Sequence, residues 1–295
     1  MSNICILVSS GKFGLIKECK VLLDRLVKNG VQGEIKYTEK ICLRKILLYD
    51  VIVIYNLSVK SLFVSLFVFL FSILKKNRKI LWVNHEPDGF YHKLKNNKLS
   101  YAFATRFAEF CMALCAHRIG TPNYNSAKKY GYYYLPLQYK LSLKYINETH
   151  QKKIIGYMGR KDSTRRFSFN DKVIFFPGNY GKKEEDKLRF VDDVDAVVNI
   201  YMRSHAQSGV TPDALSNGLP VFVSSFDSWA EIDWGGYLQV LDYAKILSMS
   251  DEQLLLHVKK RLLNIKLDNV TMIKTFDTVF GEESFKYWLE AIKMK

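Results

Sequence analysis

The sequence predicts a two-domain α/β protein in which each domain is a parallel sheet covered by helices. Three observations carry that expectation. Strand-length apolar runs alternate with helical runs, the order that a parallel sheet with crossover helices requires. Several of the strand runs, such as Val51 to Tyr55 and Asp195 to Tyr201, are apolar almost throughout, as strands covered on both faces are. A chain of 295 residues with 48% apolar composition is also long enough for two cores of ordinary size.

Taken in order, Asn3 to Ser9 is a first strand, followed by the loop Ser10 to Gly14 and an amphipathic helix from Leu15 to Asn29 that Gly30 stops. A strand near Gly33 to Tyr37, a helical Ile41 to Leu48 and the strand Val51 to Tyr55 follow. Residues 61 to 74, SLFVSLFVFLFSIL, form an apolar helix with the basic flank KKNRK at 75 to 79. The run is shorter than the roughly 20 residues that a bilayer span needs. Three readings remain: a crossover helix buried on the sheet, a helix whose outer face dips into a bilayer interface, and, against its length, a true span. The strand Lys79 to Val83 leads into the loop Asn84-His85-Glu86-Pro87-Asp88-Gly89. Leu99 to Ala116 is a long helix, His117 to Gly120 a short strand, and Leu135 to His150 the connection between domains.

The second half repeats the alternation. Lys153 to Met158 is a strand, Gly159 to Arg166 a basic loop, Lys172 to Phe176 a strand and Lys182 to Phe190 a charged helix. Asp195 to Tyr201 is a buried strand, and a short helix starts near Pro212 and stops at Gly218. Strands Leu219 to Val223 and Tyr237 to Leu241 precede helices that run to a last one at Glu282 to Lys293. The expected domains are 1–140 and 151–280, with 281–295 a terminal helix able to pack back on the first.

Charge divides the chain unequally. Residues 1–150 hold 23 Lys/Arg against 9 Asp/Glu, net +14, and the remainder 21 against 20, net +1. A basic half attracts a polyanion, either nucleic acid or an anionic membrane surface. With no nucleic-acid recognition motif and no regular basic/aromatic interleaving, nucleic acid is the weaker reading. The five cysteines are odd in number and lack metal-ligand spacing, which fits reduced thiols in a cytoplasm. No secretory signal precedes the first strand.

The stretch from His205 to Glu231 concentrates turn residues, hydroxyls and acids beside a buried strand. Thr211 suits a helix cap, Pro212 the first turn and Asp213 the positive end of the dipole. Backbone N–H groups after Gly209 are able to hold a phosphate or a sugar hydroxyl. An ordinary helix start fits the same residues.

The runs VDAVVNIY at 194–201, PDALSNGLPV at 212–221, SWAEI at 228–232 and GYLQV at 236–240 resemble the C-terminal domain of GT-B glycosyltransferases. The resemblance is to the large retaining family of sucrose, mannose and lipopolysaccharide transferases. It implies an α/β fold of two Rossmann-like domains facing across a cleft, here with a short C-terminal domain. The family's E-x7-E pair falls on His205 and Asp213. Asp213 keeps the charge and is implied to accept from the donor's ribose hydroxyls. His205 is not a fixed anion, although its ring is able to donate to a phosphate or sugar hydroxyl.

Further site residues follow from the same resemblance. GYMGRK at 156–161 resembles the family's V-G-R element, so Arg160, Lys161, Arg165 and Arg166 are implied to meet the donor diphosphate, with Ser208, Gly209, Val210, Thr211 and Glu231 completing the donor site. In the first domain Gly11, Lys12 and Gly14 resemble a glycine-bearing acceptor loop, and Asp88 is implied to lie beside the acceptor. His85 and Glu86, after a buried strand, are placed to orient or deprotonate an acceptor hydroxyl. No metal or other cofactor is expected.

The function implied is a glycosyltransferase moving a sugar from a nucleotide-sugar to a glycan or polyprenyl-linked acceptor. It would work in the cytoplasm, peripheral on the inner face of the plasma membrane, as in surface polysaccharide synthesis. A nucleotide-sugar epimerase of the same fold and a non-catalytic transferase-like binding module are the alternatives.

Overall fold

The computed structural model describes residues 3–10, 13–55, 59–74, 79–85, 99–142, 154–159, 165–166, 173–176, 184–202 and 209–293. They form two compact units, one of residues 1–138 with 279–295 and one of residues 139–278.

The first unit runs β1 (Asn3–Val8), α1 (Phe13–Lys28), β2 (Gln32–Tyr37), α2 (Leu43–Ile46), β3 (Val51–Ile54), α3 (Val59–Leu74), β4 (Lys79–Val83), α4 (Leu99–Cys115), β5 (Arg118–Thr121), α5 (Tyr124–Tyr130) and β6 (Tyr133–Tyr134). Its strands lie in the order β2-β1-β3-β4-β5-β6, every pair parallel. Because β2 lies to one side of β1 and β3 to the other, the chain reverses direction across the sheet between β1 and β3. That switch point opens a crevice beyond the carboxyl ends of the strands. One sheet face packs on α1 through Ile16, Cys19, Leu22 and Leu26, and the other on α3 and α4 through Val64, Val68, Met112 and Cys115.

The second unit runs β7 (Ile155–Met158), β8 (Ile174–Phe176), α6 (Glu184–Asp193), β9 (Ala196–Asn199), α7 (Val210–Leu215), β10 (Val221–Ser224), β11 (Leu238–Leu241), α8 (Tyr243–Leu247), α9 (Asp251–Asn264) and α10 (Asn269–Phe280). The order β11-β10-β9-β7-β8 is again parallel throughout, with its switch point between β7 and β9. Ser250 and Gln253 close a reciprocal capping box at the start of α9.

The last helix, α11 (Glu282–Ile292), belongs to the first unit. Trp288 is fully buried there, its ring stacked 5.7 Å from Tyr55 and its Nε1 donating to the Pro136 carbonyl at 2.8 Å. Arg25 of α1 donates to the carbonyls of Phe280 and Gly281 and to the Gln138 side chain.

Two sequence expectations need correction, and one stretch left unassigned is helical. Leu135 to His150 is not a connector from its start: Leu135 and Gln138 are fully buried in the first unit, and 143–150 lie outside the described residues. Tyr124–Tyr130, to which the sequence reading assigned no element, is a helix capped by Asn123, whose side chain accepts from the Ser126 amide at 2.9 Å. The helix expected at 41–48 shrinks to the four residues of α2.

Candidate functional site

In the second unit, chemistry gathers at the β7/β9 switch point. β7 ends at Met158, and Gly159 turns the chain with φ +116°, a conformation that side-chain-bearing residues rarely adopt. A Cβ at Gly159 would overlap the Arg165 Nη1 and lie 3.0 Å from Val210 Cγ2. Glycine therefore lets the arginine lie across the end of β7.

Residues 165 and 166 run antiparallel beside the end of β9, through the Arg165–Tyr201 bridge and the Arg166 amide bond to the Ile200 carbonyl. The two arginines then diverge. Arg166 is spent on structure: its nitrogens donate to Asp251 and to the carbonyls of Ile246 and Met249. Arg165 donates only from Nη2, to the Tyr201 hydroxyl at 2.8 Å, and its guanidinium lies 4.8 Å from the Tyr201 ring centre. Its Nε and Nη1 are buried with no hydrogen-bond partner among the described residues. Two buried donors of a fixed cation without an acceptor are costly unless an anion completes them.

The helix expected near Pro212 begins two residues earlier, at Val210, with exposed Gly209 at its cap position. Thr211 is thus not the cap. It is fully buried in the first turn, where its hydroxyl donates to Asp227 Oδ2 at 2.7 Å. Asp227 also accepts from the Trp229 amide at 2.9 Å. Burial raises its pKa, while these bonds and the charge of Arg165 pull it down. With six residues, α7 sums few peptide dipoles, so anion binding falls to Arg165 more than to the helix end.

Asp213 is buried at 7% exposure, ion-paired with Lys187 of α6, itself 1% exposed. Its main-chain carbonyl accepts from Ser216 Oγ and Asn217 Nδ2. The acid expected at a ribose thus carries a buried cation. Glu231 is exposed in the turn after β10. Arg160, Lys161, His205 and Ser208 lie outside the described residues.

In the first unit the β1/β3 switch point has its own cluster. Ser9 and Ser10, just past β1, bind Glu39 through the Ser9 hydroxyl and the Ser10 amide, and the Ser9 bond is the main cause that holds Glu39 down at about 2. Tyr55 follows β3, and His85 follows β4 with its ring centre 5.6 Å from that of Tyr55. The Tyr55 hydroxyl donates to Glu18 Oε1 at 3.3 Å, and burial pushes the Glu18 carboxyl up to about 8. Gly14 is exposed in the first turn of α1. Gly11, Lys12, Glu86 and Asp88 lie outside the described residues.

The sequence reading missed Glu18, Tyr55, Lys187, Tyr201 and Asp227. For Tyr55 and Tyr201 a signal existed, since each is a polar aromatic at the end of an apolar strand. Nothing marked Lys187 within a charged helix.

No protein-family model matches the chain, and no curated protein matches it. Solved structures do. The chain is similar to Anabaena HepE in complex with UDP-glucose, with a TM-score of 0.63 at 11% identity over 99% of each chain. It is similar to an alpha-glucosyltransferase in complex with UDP and a 13-mer DNA containing a central A:G mismatch, at TM-score 0.66 and 10% identity over 100% of each chain. A third is sucrose-phosphate synthase from Thermosynechococcus elongatus, at 0.64 and 10% over 99% of this chain and 98% of that one. At such identities the likeness is one of fold, and it is the GT-B fold that the resemblance of residues 194–240 implied.

Proposed function

We propose that the chain is a glycosyltransferase that moves a sugar from a nucleotide-sugar to a glycan or polyprenyl-linked acceptor at the cytoplasmic face of the plasma membrane, as in surface polysaccharide synthesis. One observation carries the reading. Arg165 presents two buried guanidinium donors without acceptors among the described residues, at the switch point of a parallel sheet, where α/β folds bind nucleotides. A nucleoside diphosphate has the charge and the oxygens to take them. As the glycosidic bond breaks, the leaving diphosphate gains negative charge, so a fixed cation stabilises the transition state more than the bound donor. No metal enters this reading.

The other roles follow the same assignment. Arg160 and Lys161 extend the diphosphate site, Ser208, Gly209 and Val210 line the sugar with Thr211 buried behind them, and Asp213 and Glu231 meet ribose and sugar hydroxyls. His205 donates to the sugar or phosphate. On the acceptor side His85 with Glu86 takes the hydroxyl proton, and Gly11, Lys12, Gly14 and Asp88 hold the acceptor. The UDP and UDP-glucose of the similar structures make UDP the first nucleotide to test, and the net charge of +14 over residues 1–150 supports a membrane-face acceptor.

The test is calorimetric titration of UDP and a panel of UDP-sugars into wild type and Arg165→Ala, with released UDP as the turnover signal. Two charge-assisted bonds at about 1.5–3 kcal/mol each predict an affinity loss of roughly 10²–10⁴-fold. Removing a partly unsatisfied guanidinium should leave the unfolding temperature nearly unchanged. Equal UDP affinity in the two proteins refutes the assignment.

A further inference from the structure

We propose that the outward face of the α3–α4 pair docks on an anionic lipid bilayer, inserting its aromatic and leucine side chains at the level of the headgroups. A crossover helix on a sheet ordinarily turns its apolar stripe inward and its polar residues to water. α3 does the reverse at Ser61 and Ser65. Ser61 and Ser65 are fully buried, Ser65 donating back to the Ser61 carbonyl at 2.7 Å and to Met112 Sδ at 3.2 Å. Phe63, Leu66 and Leu70 face outward, between 45 and 65% exposed.

The neighbouring helix repeats the pattern. On α4, Ala102, Met112 and Cys115 are buried, and so is Glu109, the acidic residue of the helix, which turns inward and pairs with Arg106. Phe103, Phe107, Phe110 and Leu114 recur at helical spacing along one line, 58–68% exposed. With a large apolar side chain covering some 150–250 Å², these seven expose on the order of 700 Å², above the few hundred that a monomer ordinarily shows in one patch.

Charge selects the occupant. Lys75, Lys76, Arg78 and Lys79 directly follow α3 in sequence, Lys93, Lys95 and Lys98 precede α4, and residues 1–150 carry net +14. Two copies meeting through this face would bring like charges together, whereas an anionic bilayer complements them. Among the described residues no helix is long and apolar enough to cross a membrane, so the contact is that of helices lying in the interface. The proposal deepens the membrane-face reading above and rests on it, but docking is measured without turnover, so the two fail separately.

The experiment is sedimentation of the full chain with vesicles of phosphatidylcholine alone or mixed with phosphatidylglycerol. The comparison is with Phe103→Ser/Phe107→Ser/Phe110→Ser, whose exposed side chains hold no core together. Wild type should bind the anionic vesicles, less tightly as salt rises. The triple variant should bind about 100-fold more weakly or worse, while melting at the wild-type temperature. Phe107→Trp should shift its emission to the blue on anionic vesicles. Wild type that stays off the vesicles overturns the proposal, as does a triple variant that binds equally well. A wild-type dimer that the triple variant dissolves, with no vesicle binding, assigns the face to a second copy and also overturns it. Vesicle binding without any UDP affinity removes the proposed transferase and leaves the docking face standing.

Discussion

Breaking the Lys187–Asp213 pair separates a structural acid from a ligand-binding one. With Lys187 at 1% and Asp213 at 7% exposure, neither charge is screened by water. Taking away one partner deprives the other of this ion pair in a low-dielectric site, which costs about 3–5 kcal/mol, against less than about 1 for a surface pair. At roughly 2–4 °C per kcal/mol, the second unit of Lys187→Met or Asp213→Asn should melt about 6–20 °C lower. Replacing both, in Lys187→Met/Asp213→Leu, should recover most of the loss, since apolar substitution of a buried pair is often close to neutral. Differential scanning calorimetry of the three variants and wild type measures these shifts, and UDP titrations of the same proteins measure function. A single variant that melts within about 2 °C of wild type refutes the argument from burial. Asp213→Asn that binds UDP normally, once compared below its melting transition, leaves the acid with the tie between α6 and α7 alone.

Two further outcomes follow from particular groups. In the folded protein the Glu18 carboxyl is raised from 4.5 to about 8, so between those values the folded chain keeps a proton that the unfolded chain has released. Stability should therefore fall as pH rises through that window, and Glu18→Gln should flatten the fall by an amount on the order of several kcal/mol. Denaturant titrations at pH 5 and pH 8 read it, and equal falls in both proteins would count against the burial of a neutral acid. Gly159→Ala forces a strained φ and displaces the Arg165 guanidinium, which should cost about 1–3 kcal/mol of stability. UDP affinity should drop with it, and calorimetry showing unchanged affinity would mean that the guanidinium's place does not matter.

The parallel sheets were legible because most of their central strands are largely apolar: Cys5 to Val8, Val51 to Tyr55 and, but for Asn199, Ala196 to Tyr201 are buried apolar runs, so hydrophobicity marks them. α5 and β6 escaped because their Tyr- and Lys-rich stretch has no apolar period, although Asn123 was a readable cap. At the site, the basic loop and the acids of 211–231 were visible as residue types. What the types cannot carry is who faces whom. Arg165 and Arg166 are adjacent and chemically identical, yet one is consumed by Asp251 and two carbonyls and the other keeps two donors in reserve. Asp213 and Asp227 likewise differ in their neighbours, a lysine from α6 and a threonine from α7.

The return of α11 to the first unit gives the two units different histories on the ribosome. Residues 139–278 are contiguous and gain every strand of their sheet before the chain ends. Residues 1–138 emerge first but without the helix that brings Trp288 against Tyr55 and the Pro136 carbonyl. The unit synthesised first is therefore the one completed last. Until residues 279–295 arrive, one side of its sheet offers the Trp288 socket open, a long-range closure that slows its final packing and gives a chaperone an apolar surface to hold.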